Sequence, residues 1–353
     1  MAIEKGSVLL NEKAWDNLTL TVDNLAPSSI FVIIDENIEN YCLPHFVAKF
    51  GARTSYQTIP IPLGERHKNI QTCIYLWETL SRKGADRNSL IVNLGGGVIT
   101  DIGGFVASTY MRGISFINIP TTLLAMVDAS VGGKTGIDFN HVKNQIGTIK
   151  LPEIVVIDAD FLNTLPENQL LSGFAEMIKH SLIDGETSWN ALNTINYSDM
   201  YSNPDLIMKS IRVKQEVVSE DPFEKGRRKV LNFGHTLGHA IESHFMGDSE
   251  RFPLLHGEAI AIGMILAAYL STETIGLTSE KLSAISSYIM SLYPKQNFSK
   301  EDIENIIQLM SFDKKNHNGK VLFVLMEDFG AFKLDCEVDN ALIFKAFEFY
   351  RNF

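Results

Sequence analysis

The sequence predicts an α/β domain followed by an all-α domain, and three observations predict it. The chain has 353 residues, more than one hydrophobic core ordinarily organises, so two domains are expected. Its first half alternates short apolar runs with stretches of helical period, the pattern of a parallel sheet covered by helices. Beyond about residue 165 nearly every segment is helical. We therefore expect a Rossmann-like parallel-sheet domain over 1–165 and a helical domain over 166–353. A cleft between them would gather ligands at the carboxyl ends of the strands.

Each element has its own signal. Ile30 to Ile34 (I-F-V-I-I) reads as a buried strand ending at Asp35. Asn69 to Lys83 carries apolar residues at helical spacing and stops at Gly84. Leu90 to Leu94 is a second strand, running into Gly95-Gly96-Gly97, with a helix from Val98 to Tyr110 behind it. Ile114 to Ile119 and Ile154 to Ile157 complete the strands. In the second half, Asn203-Pro204 reads as a helix start, Ser299 with Asp302 as a capping box, and Asp339 as a cap for the last helix. Lys320 to Phe332 is the exception there, a strand or hairpin.

Composition bounds the chemistry. Hydrophobic residues make up 45% and charged residues 21%, the profile of an ordinary globular enzyme. A formal net charge of -11 argues against nucleic acid or a membrane surface as partner, since both favour basic faces. An anionic substrate would need a local basic pocket. Three scattered cysteines, Cys42, Cys73 and Cys336, show no metal-binding spacing and suit a reducing compartment. The N-terminus lacks a signal-peptide pattern, and no apolar run reaches the roughly 20 residues that span a bilayer. A cytoplasmic location is expected.

Four constellations carry the chemistry. The densest runs from Arg228 to Glu258 and holds four of the nine histidines. His235 and His239 stand at i and i+4, so one helix face presents both imidazoles, and His256 opens the next apolar helix. Two helix-borne imidazoles and a carboxylate make a zinc site with one position left open. Arg228, Asn232, His235 and His239 read as one polar stripe on an apolar helix, which must face a wet site because burial without partners is costly.

Upstream, G-F-A-E-M-I-K-H places Glu176 and Lys179 at i and i+3, either a surface ion pair or a metal ligand beside a lysine that contacts an anionic substrate. The turn G-G-G-V-I-T-D lets backbone N–H groups at a helix start meet a pyrophosphate, with Asp35 a ribose partner. Finally, D-A-S-V-G-G-K-T-G-I-D with Lys143-Asn144 reads as a substrate-gripping loop. It is not a P-loop, because Asp128 occupies the position of the first required glycine.

Taken together, L-G-G-G-V-x-x-D, P-T-T-L-L-A-M-V-D-x-S-V-G-G-K-T-G-I-D, A-E-M-I-K-H, L-N-F-G-H-T-x-G-H-A-I-E and H-G-E-A-I-A-x-G-M resemble the 3-dehydroquinate synthases from about Asp35 to Lys315. The resemblance implies that Glu176, His235 and His256 are ligands for zinc or cobalt. It implies NAD contacts at Asp35, Asn37, Glu65, Lys68, Gly96, Gly97, Val98 and Asp101. Thr121, Thr122, Lys134, Lys143, Phe161, Thr164 and Leu165 fall on further NAD-side positions. Asp128, Lys134, Asn144, Lys179, Lys214, Arg228, Asn232, His239 and Lys314 match substrate positions. Arg112 matches an arginine donated across a homodimer interface, and Glu224 and His239 match proposed proton acceptors.

The implied reaction turns 3-deoxy-D-arabino-heptulosonate 7-phosphate into 3-dehydroquinate and phosphate. It would proceed by transient NAD-dependent oxidation, phosphate elimination, re-reduction and intramolecular aldol closure. Another sugar-phosphate cyclase, of the valiolone or inosose type, is the alternative. A catalytically silent NAD-binding protein is a third reading, disfavoured because every expected polar group is present.

Overall fold

Long runs of branched apolar residues dictate the first half of the fold. In this computed structural model, which describes residues 4–51, 55–140, 142–247, 251–310 and 321–353, they form a six-stranded sheet. The chain divides into two compact units, Met1–Pro166 with Ser198–Ile211, and Glu167–Tyr197 with Arg212–Phe353.

The first unit begins with β1 (Ser7–Leu10) and α1 (Asn11–Leu25), then β2 (Ile30–Ile34), the short helices α2 (Glu36–Tyr41) and α3 (Leu43–Phe46), and β3 (Gln57–Pro60). α4 (Ile70–Arg82), β4 (Leu90–Gly95), α5 (Gly97–Thr109) and β5 (Ser115–Pro120) follow, matching the expected elements within a residue or two. Next come β6 (Lys134–Phe139), β7 (Val142–Ile149) and β8 (Ile154–Ile157). The sheet order is β1-β8-β5-β4-β2-β3, and every pairing is parallel. β2 and β4 are buried at every position because helices cover both faces, which is why their sequences are continuous apolar runs rather than alternations.

From β2 the chain moves outward to β3, and from β4 it moves the other way to β5. The connections diverge between these two neighbours, so the carboxyl ends of β2 and β4 flank the crevice where open α/β sheets take their ligands. One expectation needs correcting here. Of the glycine-rich segment expected as a loop, residues 130–133 are a turn, but from Lys134 onward it is an antiparallel hairpin of β6 and β7, with Gly136 opposite Gly147. A Cβ on Gly147 would lie 2.2 Å from the Thr135 carbonyl oxygen, so the close strand approach requires glycine, and glycine erased the alternation that marks a strand.

The second unit is helical, as expected. It contains α6 (Glu167–Asp184), α7 (Glu186–Leu192), the C-terminal part of α8 (Pro204–Glu220), α9 (His235–Gly247), α10 (His256–Ile275), α11 (Ser279–Leu292) and α12 (Lys300–Met310). A hairpin of β9 (Leu322–Asp328) and β10 (Ala331–Glu337) and a last helix α13 (Asn340–Asn352) complete it. The capping box is present, with the Ser299 N–H donating to Asp302 and the Asp302 N–H donating to Ser299 Oγ. Asp339 caps α13 through the Leu342 N–H.

α10 is the core of this unit, buried along nearly its whole length and packed by α6, α9, α11, α13 and β9. Contrary to the sequence expectation, it is long and apolar enough to cross a membrane by length and composition, and 67% of its most apolar window is buried inside the protein. Burial among its neighbours accounts for that apolarity.

Candidate active site

In the first unit the expected dinucleotide residues fall at the carboxyl ends of the strands. Asp35 follows β2 and caps α2, its Oδ1 accepting from the Ile38 N–H at 2.9 Å, and Asn37 lies in that helix's first turn. Gly96 caps α5 without any side-chain hydrogen bond, and Gly97 and Val98 form its first turn. Their N–H groups therefore point outward as an anion site. A Cβ on Gly96 would come within 3.1 Å of Thr122, so the turn is a cradle that a side chain would fill. Thr121 and Thr122 follow β5, and the Thr121 Oγ1 is buried without a hydrogen-bond partner. Phe161 and Thr164 sit on the 3-10 turn Ala159–Thr164 after β8, capped by Leu165.

An ion cluster around the buried Lys68 joins four more. Lys68 Nζ lies 2.6 Å from Asp101 and 3.8 Å from Glu65, and Lys143 Nζ lies 3.6 Å from Glu65. Burial pushes the Lys68 pKa down, but the Asp101 and Glu65 carboxylates outweigh it and raise it above that of an ordinary lysine. Lys134 opens the strand β6, and since no helix starts there the segment is not a P-loop, as expected. Asn144 on β7 adopts a left-handed φ of 51°, and its N–H donates to Asp138 at 2.7 Å. Asp128 lies in the π turn Ala125–Ala129, and Arg112 ends the turn Tyr110–Arg112.

In the second unit, Glu176 and Lys179 are 0% and 1% exposed. The Lys179 ammonium contacts Glu176 Oε2, so this is a core ion pair, not a helix-surface one. His235 Nε2 lies 3.3 Å and His256 Nε2 3.6 Å from Glu176 Oε1. The His235 and His239 rings are 5.1 Å apart, and the His239 and His256 rings 5.6 Å. One ring nitrogen from each of His235, His239 and His256 lies within 4.8 Å of the others. His235 donates from Nδ1 to the Phe233 carbonyl at 3.2 Å, because a carbonyl can only accept, so its Nε2 is the free lone pair facing Glu176.

Burial and the Lys179 charge press the His235 pKa down to about 4, leaving a neutral imidazole, the form that ligates. Burial also penalises the Glu176 charge, yet the Lys179 ammonium outweighs it and holds the Glu176 pKa well below the carboxylate range. Both Glu176 oxygens are buried and neither accepts a hydrogen bond of proper geometry. On His256 burial works against a charge, but Glu242 and Glu176 outweigh it and raise the pKa to about 9. Two carboxylates close to imidazoles favour a cation at this point, and a divalent metal would take the place of the proton on His256 Nε2, so these residues fit one.

Glycines permit the convergence. A Cβ on Gly257, next to His256, would stand 2.0 Å from the Ser172 carbonyl oxygen of α6, and one on Gly263 would stand 2.0 Å from that of Gly234. α10 thus approaches α6 and the start of α9 at backbone distance.

The single stripe expected for Arg228, Asn232, His235 and His239 is not one helix. Arg227–Asn232 is a 3-10 turn, and Gly234, at φ 78°, separates it from α9. Arg228 is buried and donates from Nη1 to the Pro222 carbonyl at 2.7 Å, while Asn232 donates to Glu224 at 2.7 Å. Asp221, unnoticed in the sequence, holds this turn by accepting from the N–H groups of Lys225, Gly226 and Arg228. Lys214 is buried on α8. Lys314 lies outside the described residues.

A parallel sheet with a glycine cradle, and a helical unit with a carboxylate among imidazoles, define a class already seen in solved sugar-phosphate cyclases. The chain superposes on a 2-deoxy-scyllo-inosose synthase complexed with carbaglucose-6-phosphate, NAD+ and Co2+ at TM-score 0.80 and 25% identity, covering 96% of this chain and 95% of that one. It matches the fold of 2-epi-5-epi-valiolone synthase from Streptomyces hygroscopicus, with NAD+ and Zn2+ bound, at TM-score 0.80 and 24% identity over 100% and 98% of the two chains.

Sequence comparison then narrows the class. The chain is 42% identical to the 3-dehydroquinate synthase of Parabacteroides distasonis over 94% of this chain and 93% of that one. It is 41% identical to that of Pyrococcus furiosus over 94% and 95%. Residues 58–172 match the 3-dehydroquinate synthase N-terminal family and residues 173–316 its C-terminal family. The chain belongs to the 3-dehydroquinate synthase family.

Proposed function

We propose that this chain converts 3-deoxy-D-arabino-heptulosonate 7-phosphate to 3-dehydroquinate and phosphate, a carbon–oxygen lyase reaction of the shikimate pathway that ends in ring closure. The observation that carries the reading is the convergence of Glu176, His235 and His256 in a chain of this family. Residues 1–165 hold NAD, and residues 166–353 hold zinc or cobalt and much of the substrate. When bound, NAD supplies a reversible hydride acceptor and the metal a Lewis acid that acidifies a coordinated hydroxyl.

The chain's own residues do the rest. Gly96, Gly97 and Val98 present N–H groups to the pyrophosphate. Lys179, Lys214, Arg228 and Asn232, with Lys134 and Asn144, bind the carboxylate and phosphate and neutralise developing charge. His239 moves the hydroxyl proton, since imidazole titrates near working pH, and Glu224, Asp128 and Lys314 complete the set. Arg112 acts across a homodimer interface, and the enzyme works in the cytoplasm.

An inosose- or valiolone-type cyclase is the second reading, with which the shared fold is consistent without favouring it. Phosphate release from the heptulosonate phosphate, compared with sedoheptulose 7-phosphate, decides between them. Turnover of the first alone, dependent on NAD, is expected. Release from the second alone overturns the proposal.

A further inference from the structure

Glu242 has no role in the reaction as proposed, yet it is 3% exposed and carries a carboxylate. Burying that charge is costly unless a partner repays it. It stands seven residues after His235 on α9, so His235, His239 and Glu242 form one stripe at i, i+4 and i+7. Its Oε2 lies 3.2 Å from His256 Nδ1. The opposite nitrogen of that ring, Nε2, faces Glu176 Oε1.

His235 repeats the arrangement. Its Nδ1 is tied to the Phe233 carbonyl and its Nε2 faces the same Glu176 oxygen. Both imidazoles are therefore gripped at the rear nitrogen and aimed at one point with the front one. A carboxylate or carbonyl behind a ligating histidine fixes ring orientation and tautomer and raises the basicity of the ligand.

We propose that Glu242 is a positioning residue for the metal site: it accepts the His256 Nδ1–H and so holds Nε2 as the ligating atom. The inference rests on the metal reading above. Only Glu242, of the two rear acceptors, can be altered by substitution, which makes it the one to test.

The experiment measures zinc affinity of the full chain by competition with a chelating dye, for the wild type, Glu242→Gln and Glu242→Asp. Loss of roughly 10- to 100-fold in affinity for Glu242→Gln, with partial recovery in Glu242→Asp, is expected. The cobalt-loaded variant should also show an altered visible spectrum. Wild-type affinity with an unchanged variant, or a variant whose only change is a lower melting temperature, overturns the proposal. A wild type that binds no zinc overturns the metal reading instead, and this proposal with it. Should neither variant fold, isotope-labelled histidine NMR on the zinc-loaded wild type decides. A proton on His256 Nδ1 with Nε2 on the metal supports the role, and ligation through Nδ1 overturns it.

Discussion

Lys179 has one role that the structure shows and one that we propose. Its ammonium compensates the buried Glu176 charge, and it is assigned to the substrate anion. As a surface residue it could be removed without harm to the fold, which is how its helical spacing reads in sequence. Buried, it cannot. Lys179→Met leaves a carboxylate uncompensated in the core, and breaking such a pair costs about 3–5 kcal/mol. Denaturant unfolding of metal-free protein should show that loss, and added zinc should recover part of it by supplying another cation beside Glu176. Turnover of the zinc-saturated variant should still fall by at least ~100-fold, the scale of losing one positioned charge donor. Equal stability with and without Lys179 would place the ammonium in solvent and contradict the core pair.

Helix ends and crossings set the geometry one level up. Asp302 joins three things: the start of α12, His244 on α9 at 2.9 Å and Arg251 at 3.0 Å. Burial works against its ionisation, but the Ser299 N–H, Arg251 and His244 outweigh it and lower its pKa to about 2. A carboxyl whose pKa drops on folding stabilises the native state once it is ionised in both states. That contribution, about 2 kcal/mol, is complete above about pH 4 and fades as pH falls towards 2. Asp302→Asn should flatten this part of the stability profile, read by thermal melts across the acid range. At the crossing of α6 and α10, Gly257→Ala forces a methyl against the Ser172 carbonyl oxygen. A stability loss of about 1–3 kcal/mol and weaker zinc binding should accompany it, checked by the same melts and by metal titration.

Legibility in the sequence followed burial. β2 and β4 announce themselves because both faces are covered, whereas the edge strands β1 and β3 are short and partly exposed and give no such run. Spacing alone could not see that Gly234 interrupts the helix, since a positive φ leaves no mark on hydrophobic period. Residue type and motif single out Glu176, His235 and His256, and the structure brings these three side chains together. They do not single out Glu242, because nothing in a sequence tells a buried carboxylate from a solvated one.

Across the whole molecule, the two units divide the chemistry by residue type: backbone N–H groups, hydroxyls and an ion cluster in one, imidazoles and carboxylates in the other. Removing metal should abolish turnover, and zinc or cobalt should restore it; full activity in chelator-treated, metal-free protein would refute the ligand assignment. Arg112→Ala should lower turnover while leaving α9 and α10 untouched, so zinc affinity should stay within error of the wild type. Sedimentation should show a dimer for both proteins.

His256 is the first residue of α10, a helix buried along most of its length. A ligand placed there inherits the axial address of the entire rod. Sliding α10 by a single residue would carry the imidazole about 1.5 Å along the axis and turn it by about 100°, enough to lose Glu176. Over evolutionary time the interior around α10 is therefore free to exchange one apolar shape for another of like volume, but an insertion or deletion that slid the helix along its axis would carry His256 away from Glu176.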